Sequence, residues 1–521
     1  MEIRESIIRE LIKSGAKTRA DLSRIKRRAA KKDKAKLPRN IDLIKTYHSL
    51  IENKRIEKSK ILENILKVRP VRSLSGIVNV SVLTKPYPCP GKCIYCPEQE
   101  GVPKSYLSNE PAVMRAILTK YNPYRQTKAR IRSLEKNGHP TDKIELRIIG
   151  GTWSFYPKKY RINFIKRCFD ACNGKTSQTL EQAQKKNEKA KHRIIGLSAE
   201  TRPDFINETE LKFNRNLGVT RMELGVQSIY NDVLSLNKRG HPVESTIKAT
   251  LLLKDAGFKI GYQMMLNLPG SDVKKDEKMF EELFSNPDFQ PDLLKIYPTA
   301  LLKEAPLYKW WKQGKYKPYS EKQLIELVKA IKKKIPFYVR IERIIRDIPS
   351  PSIVAGPAKL SNLRQVIAKH AGQEHWHCRC IRCREIREEY DSKEKLKLFR
   401  QDYSASNGKE IFLSFEDEKR KRIYSLLRLR IPSQEYFIPA LTKAAIIREI
   451  HTYGQQLPLK DKGSSAQHKG LGKKLIKQAE KIAKKEFGMQ KMTVISGIGA
   501  REYFRKFGYK LEKTYMIKDL D

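Results

Sequence analysis

The sequence contains no long apolar segment. No window approaches the roughly 18 consecutive apolar residues that a membrane-spanning helix requires. The N-terminus, MEIRESIIRELIKSG, carries a charge every few residues and so lacks the apolar core of a secretion signal. These absences argue against a membrane protein, and we expect a soluble, cytoplasmic protein with no membrane partner.

Acidic residues are scarce relative to basic ones. Asp and Glu number 58 against 107 Lys and Arg, which gives a net charge of +49. An excess this large, spread along the chain, favours a polyanionic partner, above all a nucleic acid. The alternative is a strongly charged surface of the thermophilic kind, but such surfaces usually enrich both signs together. Composition does not distinguish DNA from RNA.

Cysteines are also few, and they are clustered. The eight cysteines form two groups of three and one pair, unlike the even spacing of a secreted disulfide framework. Cys168 and Cys172, four residues apart on an apolar helix face, are expected to be buried core thiols. The two groups of three are better explained by metal ligation in a reducing compartment.

The middle of the chain has the pattern of parallel βα units. Between about residue 75 and residue 345, short β-rich runs alternate with amphipathic helices. The predicted strands are 77–83, 145–149, 193–198, 221–226, 258–264, 293–297 and 338–341. Six or seven such units predict a full or partial βα barrel, in which chemistry gathers at the C-terminal ends of the strands.

The remaining segments differ from the barrel in composition, and the chain as a whole is predicted to be α/β. Residues 1–72 are basic and helix-patterned, which suggests a polyphosphate-binding segment. The barrel domain is assigned to 73–345 and a linker to 346–405. Residues 406–521 mix strands with a helix at 471–487, which predicts a separate α+β domain.

The first cysteine group follows the first predicted strand. Cys89, Cys93 and Cys96 lie in KPYPCPGKCIYCPEQ, where the short spacings let one loop wrap one metal centre. A structural zinc ion would need a fourth ligand, and only Glu98 and Glu100 follow nearby. Three cysteines can instead hold three irons of a four-iron cluster and leave the fourth iron open to a ligand. We therefore expect a 4Fe-4S cluster.

This cysteine pattern resembles the radical S-adenosylmethionine superfamily, in which the open iron binds that cofactor and reduction cleaves it to a 5′-deoxyadenosyl radical. Gly150, Gly151 and Thr152 follow the strand ELRII, where exposed glycine amides can receive an amino-acid moiety. Alone, a glycine pair is more often a turn. Polar residues at later strand ends are candidates for further contacts: Glu200, Arg202, Gln227, Gln263, Lys295 and Tyr297.

The second cysteine group lies in HWHCRCIRCRE, between the two predicted domains. Cys378, Cys380 and Cys383 with nearby imidazoles fit a tetrahedral structural zinc site. The fourth ligand stays open among three histidines and a more distant residue. The histidines are His370, His375 and His377.

The C-terminal domain carries a glycine loop before its helix. In QHKGLG (467–472), backbone amides at a helix N-terminus can bind a pyrophosphate that glycines let approach closely. A lone Gly-x-Gly is a weak signal, but AAIIREIHTYG upstream and REYFRKFGY downstream make the segment resemble the acetyl-coenzyme-A-binding core of the GNAT acetyltransferases. That resemblance implies that Tyr503 faces the thioester, with Phe504 beside it.

The order of all these motifs is similar, over nearly the full length, to the catalytic subunit of Elongator and its stand-alone prokaryotic relatives. The resemblance implies an acyltransferase-class tRNA carboxymethyluridine synthase, which uses acetyl-coenzyme A and S-adenosylmethionine radical chemistry to form 5-carboxymethyluridine at the wobble position. Radical chemistry suits this carbon–carbon bond, because carbon 5 of uracil is a poor electrophile. The implied partners are the tRNA anticodon stem-loop, an unidentified electron donor and either a second copy or Elongator-type accessory subunits.

The same resemblance carries acetyl-coenzyme-A contacts to individual residues. They are Lys143; Glu449, Ile450, His451 and Thr452 in a strand; Gln467, Gly470, Leu471, Gly472 and Lys473 in the phosphate loop; and Tyr503 and Phe504. Tyr503 and Lys143 are the candidate catalytic residues. Phe504 stands where relatives often have a second tyrosine, which favours Tyr503 for any role of a hydroxyl group.

Two other functions remain open at this point. A protein lysine acetyltransferase would use the cluster only as structure and would not need tRNA. A nucleic-acid-binding scaffold would have decayed active sites, although the three cluster thiols and the glycine loop are intact.

Overall fold

The computed structural model describes residues 2–387, 394–433, 437–454 and 470–520. It opens with a bundle of four helices, which confirms that the N-terminal segment is mostly helical. These are α1 (Ile3–Lys13), α2 (Arg19–Lys32), α3 (Asn40–Glu52) and α4 (Lys60–Leu66). Their apolar faces form a core of their own that includes Ile8, Leu43 and Tyr47. Thr18 and Asp21 form a capping box that fixes the start of α2.

Seven parallel strands follow and pair in chain order. They are β1 (Val78–Leu83), β2 (Lys143–Ile149), β3 (Arg193–Thr201), β4 (Arg221–Gln227), β5 (Lys259–Leu266), β6 (Leu293–Pro298) and β7 (Arg340–Arg343). Arg147 on β2 contacts Glu342 on β7 at 2.5 Å, although four strands separate β2 from β7 in the sheet. The sheet is therefore strongly curved. Since no pairing joins β7 to β1 in the described part of the chain, the predicted partial barrel is confirmed.

Helices connect and cover these strands. They are α5 (Pro111–Leu118), α6 (Pro123–Lys136), α7 (Lys158–Asn173), α8 (Leu180–Asn187), α9 (Glu208–Asn216), α10 (Asn231–Leu236), α11 (Val243–Asp255), α12 (Val273–Ser285), α13 (Leu307–Lys312), α14 (Glu321–Lys334), α15 (Leu363–Gln373) and α16 (Ile381–Arg384). Strand β4 is buried along almost its whole length, as expected for a parallel sheet that helices cover. Cys168 and Cys172 are buried on α7, which confirms their assignment as core thiols.

A second seven-stranded sheet forms the C-terminal part. Its elements are β8 (Lys397–Ala405), β9 (Gly408–Glu416), β10 (Ile423–Ile431), β11 (Ala444–Thr452), α17 (Leu471–Phe487), β12 (Lys491–Val494), α18 (Arg501–Arg505), β13 (Lys510–Glu512) and β14 (Tyr515–Asp519). The order across the sheet is β13-β14-β12-β11-β10-β9-β8. Leu475, Ile476, Ala479 and Ile482 of α17 pack in the apolar core of this part.

Strand β8 corrects the sequence-based boundary of the linker. It pairs along its whole length with β9, so the second sheet begins at Lys397, inside the segment that was assigned to the linker (346–405). The strand lies at the edge of the sheet and is mostly exposed or half-exposed, so it lacks the apolar run by which the other strands were recognised. The other domain limits stay predictions.

The second sheet packs against the amino-terminal ends of the barrel strands. Arg448 of β11 donates a 2.6 Å hydrogen bond to the carbonyl of Phe258, the residue before β5. His451 donates to the carbonyl of Ser75, ahead of β1, at 2.7 Å. A Cβ atom on Gly497 would lie only 2.1 Å from the carbonyl oxygen of Ile195 in β3, so this contact requires glycine. None of the described helices combines the length and apolar character that crossing a membrane requires.

Candidate active site

The cysteine loop (residues 84–110) leaves β1 at its carboxyl end, where a βα barrel carries its chemistry. Neighbouring loops hold it in place. The amide of Ile94 donates to the carbonyl of Asn237 at 3.2 Å, and the amide of Leu307 donates to the carbonyl of Ile94 at 2.8 Å. Cys93 is buried, while Cys89 and Cys96 are half-buried.

A cavity of about 180 Å³ joins this loop to the strand ends. Its lining contains all three loop cysteines and seven of the residues that the sequence analysis gave as cofactor contacts or as candidates for them. Those seven are Gly151, Thr152, Glu200, Arg202, Gln227, Gln263 and Tyr297. Gly150 does not line the cavity. Its φ is +125°, and a Cβ atom there would lie 2.2 Å from Oγ1 of Thr84, so Gly150 shapes the turn rather than the cavity wall.

The arrangement of the loop thiols fits an iron–sulfur cluster better than one metal ion. In the described part of the chain, only one group of three or more potential ligands has all its ligand atoms within 4.8 Å of one another, and the loop cysteines are not in it. One zinc ion would need its thiolates that close together. Burial, reinforced by Cys93, raises the pKa of Cys96 to about 12. A metal cation bound to this sulfur would favour its thiolate form.

Two polar residues of the cavity have distinct surroundings. Glu200 accepts hydrogen bonds from Lys295 at 2.7 Å and from Tyr106 at 3.3 Å. Arg202 pairs with Asp204 through Nε and Nη2 at 2.9 and 2.8 Å, while its buried Nη1 atom has no hydrogen-bond partner among the residues that the structure describes. A Cβ atom on Gly91 would lie 2.5 Å from that Nη1 atom. The free N–H groups of Arg202 therefore suit an anionic group of a ligand.

A network of ion pairs fills the concave side of the barrel below the cavity. Its members are Glu145, Arg147, Arg221, Glu223, Lys295 and Glu342. Lys295 joins the network to Glu200 of the cavity. Burial alone would raise the pKa of Glu223, but Lys295 and Arg221 outweigh it and lower that pKa to about 2. The sequence does contain a signal for this network, namely charged residues at alternate strand positions in ELR of β2 and RME of β4. Of the six members, the sequence analysis named only Lys295 as a candidate.

Strand β11 has an open edge at the opposite end of the barrel. It pairs with β12 only over Ala444–Ile447 and then continues to Thr452. The four residues predicted to contact acetyl-coenzyme A lie on this second half: Glu449, Ile450, His451 and Thr452. Glu449 is held by Lys259 at 3.0 Å and by Arg428 at 2.8 Å. Burial lowers the pKa of His451.

The start of α17 lies against Tyr503. Helix α17 begins at Leu471 after Gly470, and a Cβ atom on Gly472 would lie 2.5 Å from the Tyr503 hydroxyl. Burial raises the pKa of Tyr503 to about 12. Phe504 is buried in the core between the sheet and α17. Lys473 lies in the first turn of α17 and is exposed. Gln467 lies outside the described residues.

Lys143 is the first residue of β2, at the barrel edge that faces the second sheet. Its register partner Arg193 in β3 packs on Gly499, just before the helix that carries Tyr503. Burial lowers the pKa of Lys143. The structure therefore places Lys143 on the side of β11 and Tyr503, at the other end of the strands from the cysteine loop.

The second cysteine group forms the compact cluster that the loop cysteines do not. The sulfur atoms of Cys378, Cys380 and Cys383 lie within 4.8 Å of one another, with no histidine of the described residues in the group. Lys332 donates to Cys383 Sγ at 3.5 Å. The three thiols fit one metal ion, and none of the three nearby histidines is placed as its fourth ligand.

Models of known families match the barrel and the C-terminal sheet separately. Residues 87–283 match the radical SAM superfamily, and residues 291–372 match the radical SAM C-terminal domain. Residues 463–509 match the acetyltransferase (GNAT) family.

Curated relatives cover most of the chain. The tRNA uridine(34) acetyltransferase of Methanocaldococcus infernus is 50% identical over 478 residues, which cover 89% of each chain. The Dehalococcoides mccartyi protein of the same name is 46% identical, over 86% of this chain and 99% of its own. Elongator complex protein 3 of Bos taurus is 39% identical, over 99% of this chain and 96% of its own.

A solved structure matches as well. The archaeal M. infernus Elp3 with an N-terminal deletion superimposes with a TM-score of 0.76 at 46% identity, over 86% of this chain and 100% of that chain. With its radical SAM barrel and GNAT sheet, the chain belongs to the family of the tRNA uridine(34) acetyltransferases and Elongator complex protein 3.

Proposed function

We propose that this protein is a tRNA wobble-uridine carboxymethyltransferase. It would join the methyl carbon of an acetyl group from acetyl-coenzyme A to carbon 5 of the uridine. Hydrolysis of the thioester would then release coenzyme A and leave a carboxylate on the base. One observation carries the proposal: a single chain has a thiol-lined cavity at the carboxyl ends of its barrel strands and an acetyltransferase strand across their amino ends. The names of its relatives supply the substrate.

The cavity residues would hold the two resident groups. Cys89, Cys93 and Cys96 would bind a 4Fe-4S cluster. The N–H groups of Arg202 and the backbone at Gly151 would meet the charged amino-acid end of S-adenosylmethionine. When bound, these groups supply a carbon-centred radical that can take a hydrogen atom from a methyl group.

The acetyltransferase side would bind acetyl-coenzyme A. The open edge of β11 can pair with the amides of the pantetheine arm, and the first amides of α17 can bind the pyrophosphate. The Tyr503 hydroxyl, whose pKa burial raises to about 12, is protonated at neutral pH like that of an ordinary tyrosine, and it can donate a hydrogen bond to the thioester. Lys143 lies at the nearby barrel edge and would take part in the reaction of acetyl-coenzyme A from the same side of the barrel.

An arginine trio near the cysteine loop supports RNA as the polyanion. In the described residues, Arg72, Arg115 and Arg130 form no ion pair with a carboxylate. Burial and the two neighbouring arginines lower the pKa of Arg130 to about 10. Three cations that repel one another are stabilised by phosphate groups. Helix α5, which carries Arg115, also exposes Met114 and Leu118, and apolar side chains of this kind can contact unstacked bases.

The N-terminal helices extend the basic surface. Helix α2 ends in a run of exposed cations, namely Arg27, Arg28, Lys31 and Lys32. We propose that this bundle holds tRNA outside the anticodon loop, where phosphates are contacted without base recognition.

The remaining partners belong to the same proposal. Cys378, Cys380 and Cys383 would bind a structural zinc ion, with a fourth ligand other than the three nearby histidines as placed. The cluster would need an external one-electron donor of the cytoplasm. Self-association or accessory subunits of the Elongator type would further organise the tRNA, as the name of the eukaryotic relatives suggests.

Product analysis tests the function as a whole. The anaerobically reconstituted protein is incubated with tRNA, acetyl-coenzyme A, S-adenosylmethionine and a reductant, and the nucleosides are analysed by mass spectrometry. The proposal predicts carboxymethyluridine that requires all three substrates. Cofactor cleavage without this nucleoside would reject the substrate assignment, and acetylated lysine peptides without tRNA would favour a protein acetyltransferase.

A further inference from the structure

We propose that Arg239 is a positioning residue for the iron–sulfur cluster and that its buried charge favours the reduced state. The Nη1 atom of Arg239 donates to the sulfur of Cys93 at 3.6 Å, and both residues line the same cavity. Only 6% of Arg239 is exposed. The inference rests on the radical SAM site alone and is independent of the proposed tRNA substrate.

The backbone of the loop after α10 is built to hold this side chain. Lys238 adopts a left-handed conformation with a φ of +52°, and the amide of Arg239 donates to the carbonyl of Leu234 at 2.9 Å. The carbonyl of Asn237, two residues before Arg239, accepts a hydrogen bond from the amide of Ile94 inside the cysteine loop. The guanidinium is therefore fixed relative to the loop rather than free to turn away from it.

Glycines leave the space that the guanidinium occupies. Nη2 of Arg239 donates to the carbonyl of Gly225 in β4, and a Cβ atom on Gly225 would lie 3.0 Å from that nitrogen. Gly240, directly after Arg239, has a φ of +77°, and a Cβ atom there would lie 3.5 Å from Nη2 of Arg202. Two guanidinium groups thus reach the cysteine loop through positions without side chains.

The charges around the loop do not balance without an anion. Arg202 is neutralised by Asp204 at 2.8 Å. Arg239 has no carboxylate within 4.0 Å in the described part of the chain, and its Nε atom is buried without a partner. A buried cation of this kind is costly unless an anion neutralises it. A cluster held by three thiolates is such an anion, and reduction adds one more negative charge to it.

This arrangement predicts a direction for the reduction potential. A cation beside a ligand sulfur, with a hydrogen bond to that sulfur, stabilises the more negative state of a cluster. A purely structural arginine, which only ties the loop after α10 to the cysteine loop, would affect cluster binding but not the potential of the bound cluster. The two roles are therefore separable by measurement.

The test compares Arg239→Gln, Arg239→Lys and the control Lys238→Gln in the full chain. Each protein is reconstituted anaerobically, iron and sulfide are quantified, and the cluster potential is titrated with mediators by electron paramagnetic resonance, without tRNA or acetyl-coenzyme A. Removing the charge in Arg239→Gln should shift the potential to more negative values and lower the reduced-to-oxidised ratio at a fixed potential by about tenfold. Arg239→Lys should fall between it and the wild type.

The control and the alternatives make each result decisive. Lys238 is exposed, so its charge is screened by solvent and Lys238→Gln should leave the potential unchanged. A wild-type potential in Arg239→Gln would overturn the proposal. If Arg239→Gln binds no cluster while Arg239→Lys does, the charge requirement is supported. If neither variant binds a cluster, the guanidinium has a structural role and the proposal is rejected.

Discussion

The Nζ atom of Lys259 lies 3.0 Å from Oε1 of Glu449. This ion pair joins the first residue of barrel strand β5 to the acetyltransferase strand β11. Glu449 also accepts from Arg428 at 2.8 Å. Burial would raise the pKa of Glu449, but the two cations lower it, so the carboxylate stays ionised at the interface. The strand expected to bind acetyl-coenzyme A is thus fixed to the barrel that holds the cysteine loop.

Removing the ammonium group at this interface should loosen it. We expect Lys259→Met to lower the free energy of unfolding by about 1–3 kcal/mol, because Glu449 loses a charged donor while partly buried. Urea unfolding measures this change. The control is Lys259→Arg, which keeps a hydrogen-bond donor and a positive charge and should lose less stability than Lys259→Met. If both variants lose the same stability, packing of the lysine side chain, and not the ion pair, holds the contact.

The ion pairs on the concave side of the barrel predict a dependence of stability on pH. The pKa of Glu223 is lowered from 4.5 to about 2 in the folded protein, so below about pH 4.5 the unfolded chain binds the extra proton. The stability from this carboxylate is present above pH 4.5 and is lost as the pH falls toward 2. Urea midpoints should therefore decline over that range.

The variant Glu223→Gln isolates this contribution. It should be less stable than the wild type at neutral pH, because Lys295 and Arg221 lose a buried partner. It should also show a smaller decline of the urea midpoint below pH 4.5. A decline identical to that of the wild type would assign the acid sensitivity to other carboxylates.

The Tyr503 hydroxyl should matter for acetyl-coenzyme A but not for the radical cofactor. We expect Tyr503→Phe to reduce acetyl-coenzyme-A turnover by about 100-fold, since a positioned proton donor at the thioester contributes this much. Cleavage of S-adenosylmethionine should be unchanged. In Tyr509→Phe the lost hydroxyl contacts Glu480 instead of the start of α17, so turnover should stay near the wild-type rate. Equal activity of Tyr503→Phe and wild type would remove Tyr503 from catalysis.

The arginine trio should bind phosphates. Replacing Arg72, Arg115 and Arg130 by Gln should weaken tRNA binding and reduce the slope of log affinity against log salt by about 2–3. Filter binding over a salt series measures both quantities. The matched control removes the same charge from α12 and α14 on another part of the surface. It is the triple variant Lys274→Gln, Lys278→Gln and Lys322→Gln, whose positions are exposed.

An equal loss of affinity in the control would mean that net charge alone binds tRNA. Unchanged affinity in the arginine variant would remove the trio from the proposed RNA surface.

Sequence patterns predicted the regular elements best where burial is continuous. Helix α17 begins and ends at the predicted residues 471 and 487 because its apolar face repeats at helical spacing. Strand β8 was not predicted because an edge strand of the second sheet carries charged residues at exposed positions. In α17 the spacing of apolar residues matches the buried face of the helix. In β8 most side chains are exposed, so the strand has no apolar pattern in the sequence.

The candidate site was only partly predictable for a different reason. Cys89, Gly151 and Arg202 follow strand ends, and Gln263 lies in the second half of β5. Parallel strands bring their carboxyl ends together at one edge, so the common cavity of these residues follows from the topology. The packing of β11 across the amino ends depends on residues far apart in the chain, such as Arg448 with Asp292 at 2.6 Å. No local pattern contains that information.

Isotope tracing tests the two-site account most directly. The reconstituted protein is given tRNA, S-adenosylmethionine and acetyl-coenzyme A with a fully deuterated methyl group. The account predicts deuterium in the released 5′-deoxyadenosine and a carboxymethyl group that keeps its other two deuterium atoms, with both signals lost in Cys93→Ser. Carboxymethyluridine formed without deuterium in 5′-deoxyadenosine, or formed equally well by Cys93→Ser, would contradict it.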